Sequence, residues 1–540
     1  MQTTSTETMG WHAVSKTGAI AGGGAGAVAA GMSLLEQGGN AADAAAATVL
    51  ALNVTDHGQC SIGGEAPLII FDAKSKETHV LCGQGAAPRS KEAIDWYMKH
   101  GIPPRHDIKI APVPSVVDLC TTLLQRYGTK SFEQVVSPAI ALLGSGTEVF
   151  KPKLAATLHR LIEAERSTTG SREAKLQAAS DEFYGRKKTS GDVAADLEAD
   201  YIEKGGFLRR SDLAAHKTRI EKPVTASYRG HTVCKCGPWT QGPSLLQALR
   251  LLEGFDLKAM GHLSPDYVHV VVESIKLAMA DRDEYYGDPE FVHVPMAKLL
   301  SDEYTALRRP LIVMQQASMD ARPGDPIKMA ALKSGGQFRP GVGGTTTCVV
   351  ADRWGNVVSV TPSANVEDLS GGRTGVSYSN RLVSLNTVPG HPNCIQPGKR
   401  PRITLTPTMV LKDHKPILAI SVAGGDLQDQ TTLNLLLNFI DFGMDPRSAV
   451  TAPRFATHHH QDSFNPSADR NKAFLKAGSL VINSTVGTNV REELSRRGHA
   501  VDVAPGPLAN PVMLHIDHAT RMLDAAGDPA AHRHAAGLAE

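Results

Sequence analysis

Hydrophobic and polar positions along the chain alternate between two kinds of pattern. Residues 20–55, AIAGGGAGAVAAGMSLLEQGGNAADAAAATVLALNV, read as two Ala-rich helices separated by Gly38-Gly39-Asn40, a C-cap and turn signal. So much alanine implies close packing of these helices against a sheet. LIIFDA (68–73) and THVLCG (78–83) around KSKE predict a hairpin. From about 108 to 300 helical periodicity dominates, in VVDLCTTLLQRYG, SFEQVVSPAIALLGSG, LLQALRLLEGF and YVHVVVESIKLAMADRDEYYG. Residues 316–344 turn irregular and read as an exposed connection rich in Gly and Pro. Beyond it, TTTCVVAD (345–352) and VVSVTPS (357–363) flank Arg353-Trp354-Gly355-Asn356, and TPTMVLKD (406–413) and PILAISVAG (416–424) flank His414-Lys415. Both read as hairpins. A helix, TTLNLLLNFIDFG, follows, with further strands in LVINSTV and HAVDVAPG. Strands interleaved with helix pairs predict a layered α/β (α+β) protein with an antiparallel sheet.

Composition narrows the partners. The 540 residues carry 56 Lys and Arg against 55 Asp and Glu, a net charge of +1, so no global field holds nucleic acid. Apolar residues at 41% and charged ones at 21% are globular values. No stretch approaches the roughly 18 apolar residues of a spanning helix, so no membrane partner is expected. The N-terminus has no basic start followed by an apolar core of signal length. Seven cysteines are an odd number, and Cys234-Lys235-Cys236 has no second pair at zinc-finger spacing. Reduced thiols and a cytoplasmic compartment are the expectation.

Four motifs bear on chemistry. Gly24-Ala25-Gly26-Ala27-Val28-Ala29 matches a dinucleotide loop on paper, with Asp43 downstream, but a second helix follows where a βαβ unit needs a strand. Tight helix packing is the better reading. His458-His459-His460 on an extended segment point to alternate faces and do not converge on one ion. They read as a solvated or lid-type polar segment, and no metal is expected. Thr345-Thr346-Thr347 opens an apolar strand directly after Gly343-Gly344. That is the arrangement for self-cleavage at Gly344–Thr345: the Thr345 hydroxyl attacks the preceding carbonyl, an ester forms, and water frees a new N-terminal threonine. Its α-amine, with an ordinary pKa near 8, can then serve as base for its own hydroxyl. Gly424-Gly425, between a strand and a helix beginning near Asp426, leaves backbone N–H groups open to a developing oxyanion.

GGNAADAAAATVLALNV, SIGGEAPLIIFDA, GFDL, YYGDP, the GTTT–VVADRWGNVVSVTPSAN block, KRPRITLTPTMVLKD, AGG and DFGMDPRSAVTAPRF together resemble the γ-glutamyltransferase (glutathione hydrolase) family, from about residue 19 to 530. The resemblance implies a self-cleaved proenzyme, an αββα N-terminal-nucleophile hydrolase sandwich, and a covalent acyl-enzyme on γ-glutamyl amides. It makes Thr345 the nucleophile and gives Ser363 the support of its amine. Asn365 falls in the acyl pocket, Gly424 and Gly425 at the oxyanion hole, and Thr404 at a family Ser that helps bind the substrate carboxylate. Two departures stand out. The position of the family's glutamate-binding Arg falls at Ala93, and that of the Asp holding the substrate ammonium falls at Ser384. Nearby Arg89 and Arg381 are candidate carboxylate partners, and Glu367, Asp368 or Asp426 could replace the missing anion.

The expectation is therefore a self-processing N-terminal-threonine amidohydrolase or acyltransferase that cleaves a small-molecule amide. Residues 1–344 would form the large subunit and 345–540 the small one, together one αββα domain, with a homodimer of that heterodimer possible. No cofactor is implied. A true glutathione hydrolase/γ-glutamyltranspeptidase is the alternative within enzymes, and a non-catalytic binding protein of the same fold the alternative outside them.

Overall fold

The structure, a computed structural model, describes residues 9–187, 191–333 and 345–539. Two seven-stranded antiparallel sheets form its centre. One runs in the order His12–Ser15, Met522–Gly527, Asn510–Asp517, Lys415–Ala423, Thr408–Lys412, His231–Lys235, Val224–Tyr228. The other runs His534–Gly537, Gly18–Gly22, Cys348–Asp352, Val357–Val360, Leu68–Asp72, Glu77–Cys82, Arg219–Glu221. The sheets face each other across a core of Ala19, Ile69, Val349, Met409, Ala419 and Val512 among others. Ala25–Glu36 and Ala41–Thr55, with the helices between residues 116 and 203, cover the outer face of the second sheet. Pro243–Leu252, Pro265–Tyr285 and Gln428–Ile440 cover the first. This is the expected αββα sandwich, and it explains why the strands read as unbroken apolar runs. With both faces buried, Val349 enters one core and Val350 the other.

The three hairpins read from sequence are present. The strand after the threonines begins only at Cys348, because Thr346 pairs instead with the Pro362 carbonyl (2.9 Å). A hairpin at Val224–Tyr228 and His231–Lys235 lies inside the stretch read as helical. Its two-residue turn places Arg229 and Gly230 both at positive φ. Between the first two helices Asn40 and Asp43 form a reciprocal capping box, and a side chain at Gly31 would run into Thr48. The glycines of this region serve helix packing. The triple histidine differs from expectation: His459 and His460 are buried, not solvated. His459 uses both ring nitrogens, one on the Asp320 carbonyl and one accepting from Gly478 N–H, and burial lowers the His460 pKa to about 4.

Candidate active site

The sheets are stitched together where Val357–Val360 and Lys415–Ala423 cross. Ser359 donates to the Ile420 carbonyl (2.7 Å), Ser421 donates to the Val360 carbonyl (2.9 Å), and the Thr361 and Ser421 hydroxyls meet at 2.8 Å. Just past this stitch, three chain segments end together: Thr345 leading into one central strand, Ser363 leaving its neighbour, and Gly424-Gly425 leaving the opposing sheet.

Thr345 is 2% exposed, and its hydroxyl donates to Ser363 Oγ at 3.3 Å. The Gln428 side-chain amide donates to the Val422 and Thr404 carbonyls (2.9 and 3.1 Å), which leaves its other terminal atom 3.4 Å from Thr345 Oγ1. Thr346 donates to Asp56 (2.6 Å), which also caps Gly24 N–H (3.0 Å) and faces Arg533. Ser363 accepts from Arg381 Nη2 at 2.8 Å, and Arg381 Nε donates to Glu65 at 2.5 Å. Glu65, Ser363 and Arg381 are completely buried. Burial pushes the Glu65 carboxyl up, against the pull of Arg381.

Gly425 has φ +59°, so the chain there adopts the left-handed conformation that favours glycine. The residues after it form a 3-10 turn, and the helix starts at Gln428 rather than near Asp426. Asp426 accepts from Ser463 N–H (3.0 Å), Ser463 Oγ (2.6 Å) and Arg282 (2.5 Å). Burial is the largest single influence and opposes its charge, but Arg282, His460 and the two Ser463 hydrogen bonds together outweigh it and hold the carboxyl well below the usual range. This clamp sets the Phe464 ring over the turn: a Cβ on Gly425 would lie 3.2 Å from Phe464 Cε2. The same ring lies over the Arg381 guanidinium, 5.3 Å away. The ring also lines a cleft of about 620 Å³, together with Ile102, Val383, Thr387, Asp462 and Pro466 among others.

Of the residues expected from sequence, Thr345, Ser363, Thr404, Arg381 and the glycine pair converge here. Asn365 follows Ser363 by two residues and takes a positive φ of 52°. Ser384 closes the single 3-10 turn that begins at Arg381, and its buried hydroxyl has no partner among the described residues. Gly344 lies outside the described residues. Arg89 does not belong to this centre: it is exposed, lies over Gly398, and lines a separate small cavity with Asp212 and His216. Nor is Arg381 an open carboxylate clamp, since its Nε and Nη2 are already engaged and only Nη1 lacks a partner among the described residues. The candidate replacement anions are engaged too. Glu367 accepts from Asn380 and His106, Asp368 from Lys204, and Asp426 from Arg282 and Ser463. Ala93 sits inside an apolar cluster with Ile94, Tyr97, Leu382 and Val383. Glu65, Gln428 and Phe464 escaped the sequence reading. The acid in SIGGEAPLII, at the head of an apolar run, was the available signal for the first. Among the described residues no cluster of His, Cys, Asp and Glu could hold a metal, and no helix is long and apolar enough to cross a membrane.

The γ-glutamyltranspeptidase family model matches residues 27–189 and 149–538. The chain belongs to the γ-glutamyltranspeptidase family. The glutathione hydrolase proenzyme of Bacillus subtilis (strain 168) is 30% identical over 549 residues, covering 94% of this chain and 89% of that protein. The acylase ACY 1 proenzyme of Pseudomonas sp. (strain V22) is 30% identical over 525 residues, 89% of this chain and 86% of that one. Among solved structures, the cephalosporin acylase from Bacillus halodurans matches with a TM-score of 0.80 at 26% identity, over 98% of this chain and 97% of that chain. This γ-glutamyltranspeptidase family member is an enzyme of the N-terminal-nucleophile hydrolase type, and its relatives divide between γ-glutamyl and acylase names.

Proposed function

We propose that the chain cuts itself before Thr345 and then hydrolyses a small acyl amide whose acyl group carries no α-ammonium. Attack of Thr345 Oγ on the Gly344 carbonyl exchanges the peptide bond for an ester and frees the α-amine of Thr345; water then cleaves the ester, releasing a carboxylate at Gly344 and restoring the Thr345 hydroxyl. That amine then takes the Thr345 hydroxyl proton as Oγ attacks the substrate carbonyl, and the oxyanion rests on the N–H groups of Gly424-Gly425. The departing amine collects the proton, and a second water hydrolyses the acyl ester. The observation that carries this reading is the convergence of the Thr345 and Ser363 hydroxyls, 3.3 Å apart, with the glycine turn.

Substrate class rests on what surrounds the acyl side. An α-amino acid zwitterion needs a cation for its carboxylate and an anion for its ammonium, and a buried charge left unmatched costs several kcal/mol. Ala93 lies among apolar side chains, and the position of the ammonium partner is a serine. Arg381 Nη1 remains as a donor for one carboxylate oxygen, which suits the monoamide of a small dicarboxylic acid. The cleft beside Phe464 offers room for the amine portion. One observation favours the γ-glutamyl alternative: Glu65 Oε2 has no partner among the described residues and could face an ammonium.

Two measurements test the proposal. Sequencing of the matured protein is expected to find a new terminus at Thr-Thr-Thr-Cys, and Thr345→Ala to stay one inactive chain. A terminus at Thr346 or Thr347, or none, refutes the processing step. A glutaryl anilide is expected to turn over about tenfold or more faster than its γ-glutamyl counterpart, which differs by one amino group. The reverse order restores the γ-glutamyl reading.

A further inference from the structure

Glu65 takes no part in the steps proposed above, yet its side chain is fully buried in the centre. A carboxylate persists there only when its charge is matched. Its match is Arg381, and Arg381 in turn holds Ser363. Glu65 and Ser363 are also opposed across an antiparallel bridge, each N–H donating to the other's carbonyl (2.9 and 2.8 Å). Opposed residues of such a pair carry their side chains on one face. The guanidinium spans the two with Nε and Nη2, and the Phe464 ring lies over it. A continuous line of contacts thus runs from Glu65 through Arg381 and Ser363 to the Thr345 hydroxyl, at 2.5, 2.8 and 3.3 Å.

We propose that Glu65 is a positioning residue of this centre: by holding the Arg381 guanidinium it fixes the Ser363 oxygen against Thr345, and its charge balances Arg381 beside the nucleophile's amine. The inference rests on the reading of Thr345 as nucleophile. Other charged groups face the same place. Asp56, itself opposed by Arg533, accepts from Thr346, and Glu367 accepts from Asn380 next to Arg381. The Cys60 thiol lies close enough to feel both Glu65 and Asp56, and burial holds it protonated. None of them is altered in the comparison below.

The test compares matured wild type with Glu65→Gln, Glu65→Asp and Glu65→Gln/Arg381→Gln on one anilide across pH 5 to 10. The wild-type terminus is sequenced first. A terminus other than Thr345 defeats the nucleophile reading and this inference with it, whereas failure of the variants alone defeats only the role of Glu65. Glu65→Gln is expected to lower kcat about tenfold to a hundredfold, with KM changing far less. Its acid limb should move down by about one pH unit, because an uncompensated Arg381 disfavours the ammonium form of the amine. Glu65→Asp keeps the charge, so its acid limb should stay in place while kcat falls. The double variant removes both charges, and with them the penalty of a lone buried ion; it is expected to melt near wild type and remain slow. Wild-type kcat in the double variant, or an unchanged rate and pH profile in Glu65→Gln, overturns the proposal. Should the amide variants fail to accumulate, Glu65→Asp decides: wild-type kcat there overturns it as well.

Discussion

Replacing Gly425 by valine separates what the glycine turn does for the fold from what it does for the reaction. At φ +59° a side chain is strained, and for a β-branched residue the left-handed conformation costs about 1–2 kcal/mol. The Cβ itself arrives 3.2 Å from the edge of the Phe464 ring, and the two valine methyls reach further. Displacing that ring from its rotamer adds about 1 kcal/mol. The sum, about 2–3 kcal/mol, lies within the usual 5–15 kcal/mol of a folded protein, so Gly425→Val should fold. Turnover should fall much further. Valine keeps its N–H but sets a side chain where the acyl oxygen must sit, which should cost as much as losing one oxyanion donor, typically 10²–10³-fold or about 3–4 kcal/mol of barrier. The assay is anilide hydrolysis alongside thermal unfolding, for wild type, Gly425→Val, Phe464→Ala and the double variant. With the ring removed, the stability cost of Gly425→Val should shrink toward its backbone strain, while the lost rate should not return. Recovery of rate in the double variant would mean that the ring, not the N–H groups, was the obstacle. A Gly425→Val protein that matures and turns over like wild type would refute the oxyanion assignment outright.

Asp462, at the cleft, has its carboxyl raised to about 6 by burial and then by the charge of Asp426. Between about pH 4 and pH 6 the unfolded chain ionises this group while the fold keeps it neutral, so stability falls as pH rises through that window and stays lower above it. Asp462→Asn should therefore stabilise above pH 6 by about 1–3 kcal/mol and lose its advantage below pH 4, which urea unfolding at several pH values can check. Lys235 is completely buried, donates to the Thr406 carbonyl and Thr408 hydroxyl (2.8 and 2.7 Å), and pairs with Asp429 at 2.8 Å. Lys235→Met should cost about 3–5 kcal/mol by stranding Asp429, and Lys235→Met/Asp429→Leu should recover most of it. A single variant that unfolds within 1 kcal/mol of wild type, on the order of the error of such data, would count against that pairing.

Local order was readable and distant order was not. Three hairpins announced themselves through polar turns between apolar runs, and the paired helices through Gly38-Gly39-Asn40, because each signal lies within a few residues. The hairpin at 224–235 was passed over because its turn pairs a glycine with an arginine in the left-handed region, which is not ordinary turn chemistry. Thr345 and Gly424-Gly425 could be named because strand ends and turns place them through the main chain, whereas Ser363 was named only through the family resemblance. The Glu65–Arg381 contact joins residues 316 positions apart, and nothing near either one signals the other. Arg89 shows the opposite error: closeness in sequence to Ala87-Pro88 suggested the site, but its side chain extends toward Gly398.

The order of strands has a consequence for how this molecule is made. Segments from before and after position 345 are interleaved, meeting along two seams in one sheet and three in the other. The uncut chain closes all of them as a single molecule, in a reaction whose rate does not depend on concentration. A chain cut before Thr345 would keep every one of these contacts and lose little stability. Once unfolded, however, its two pieces would have to find each other again in solution, and return would become second order. Such a cut would give the fold a history: the cut molecule would hold together, but a dilute sample taken apart by denaturant should not come back at the rate at which the precursor formed.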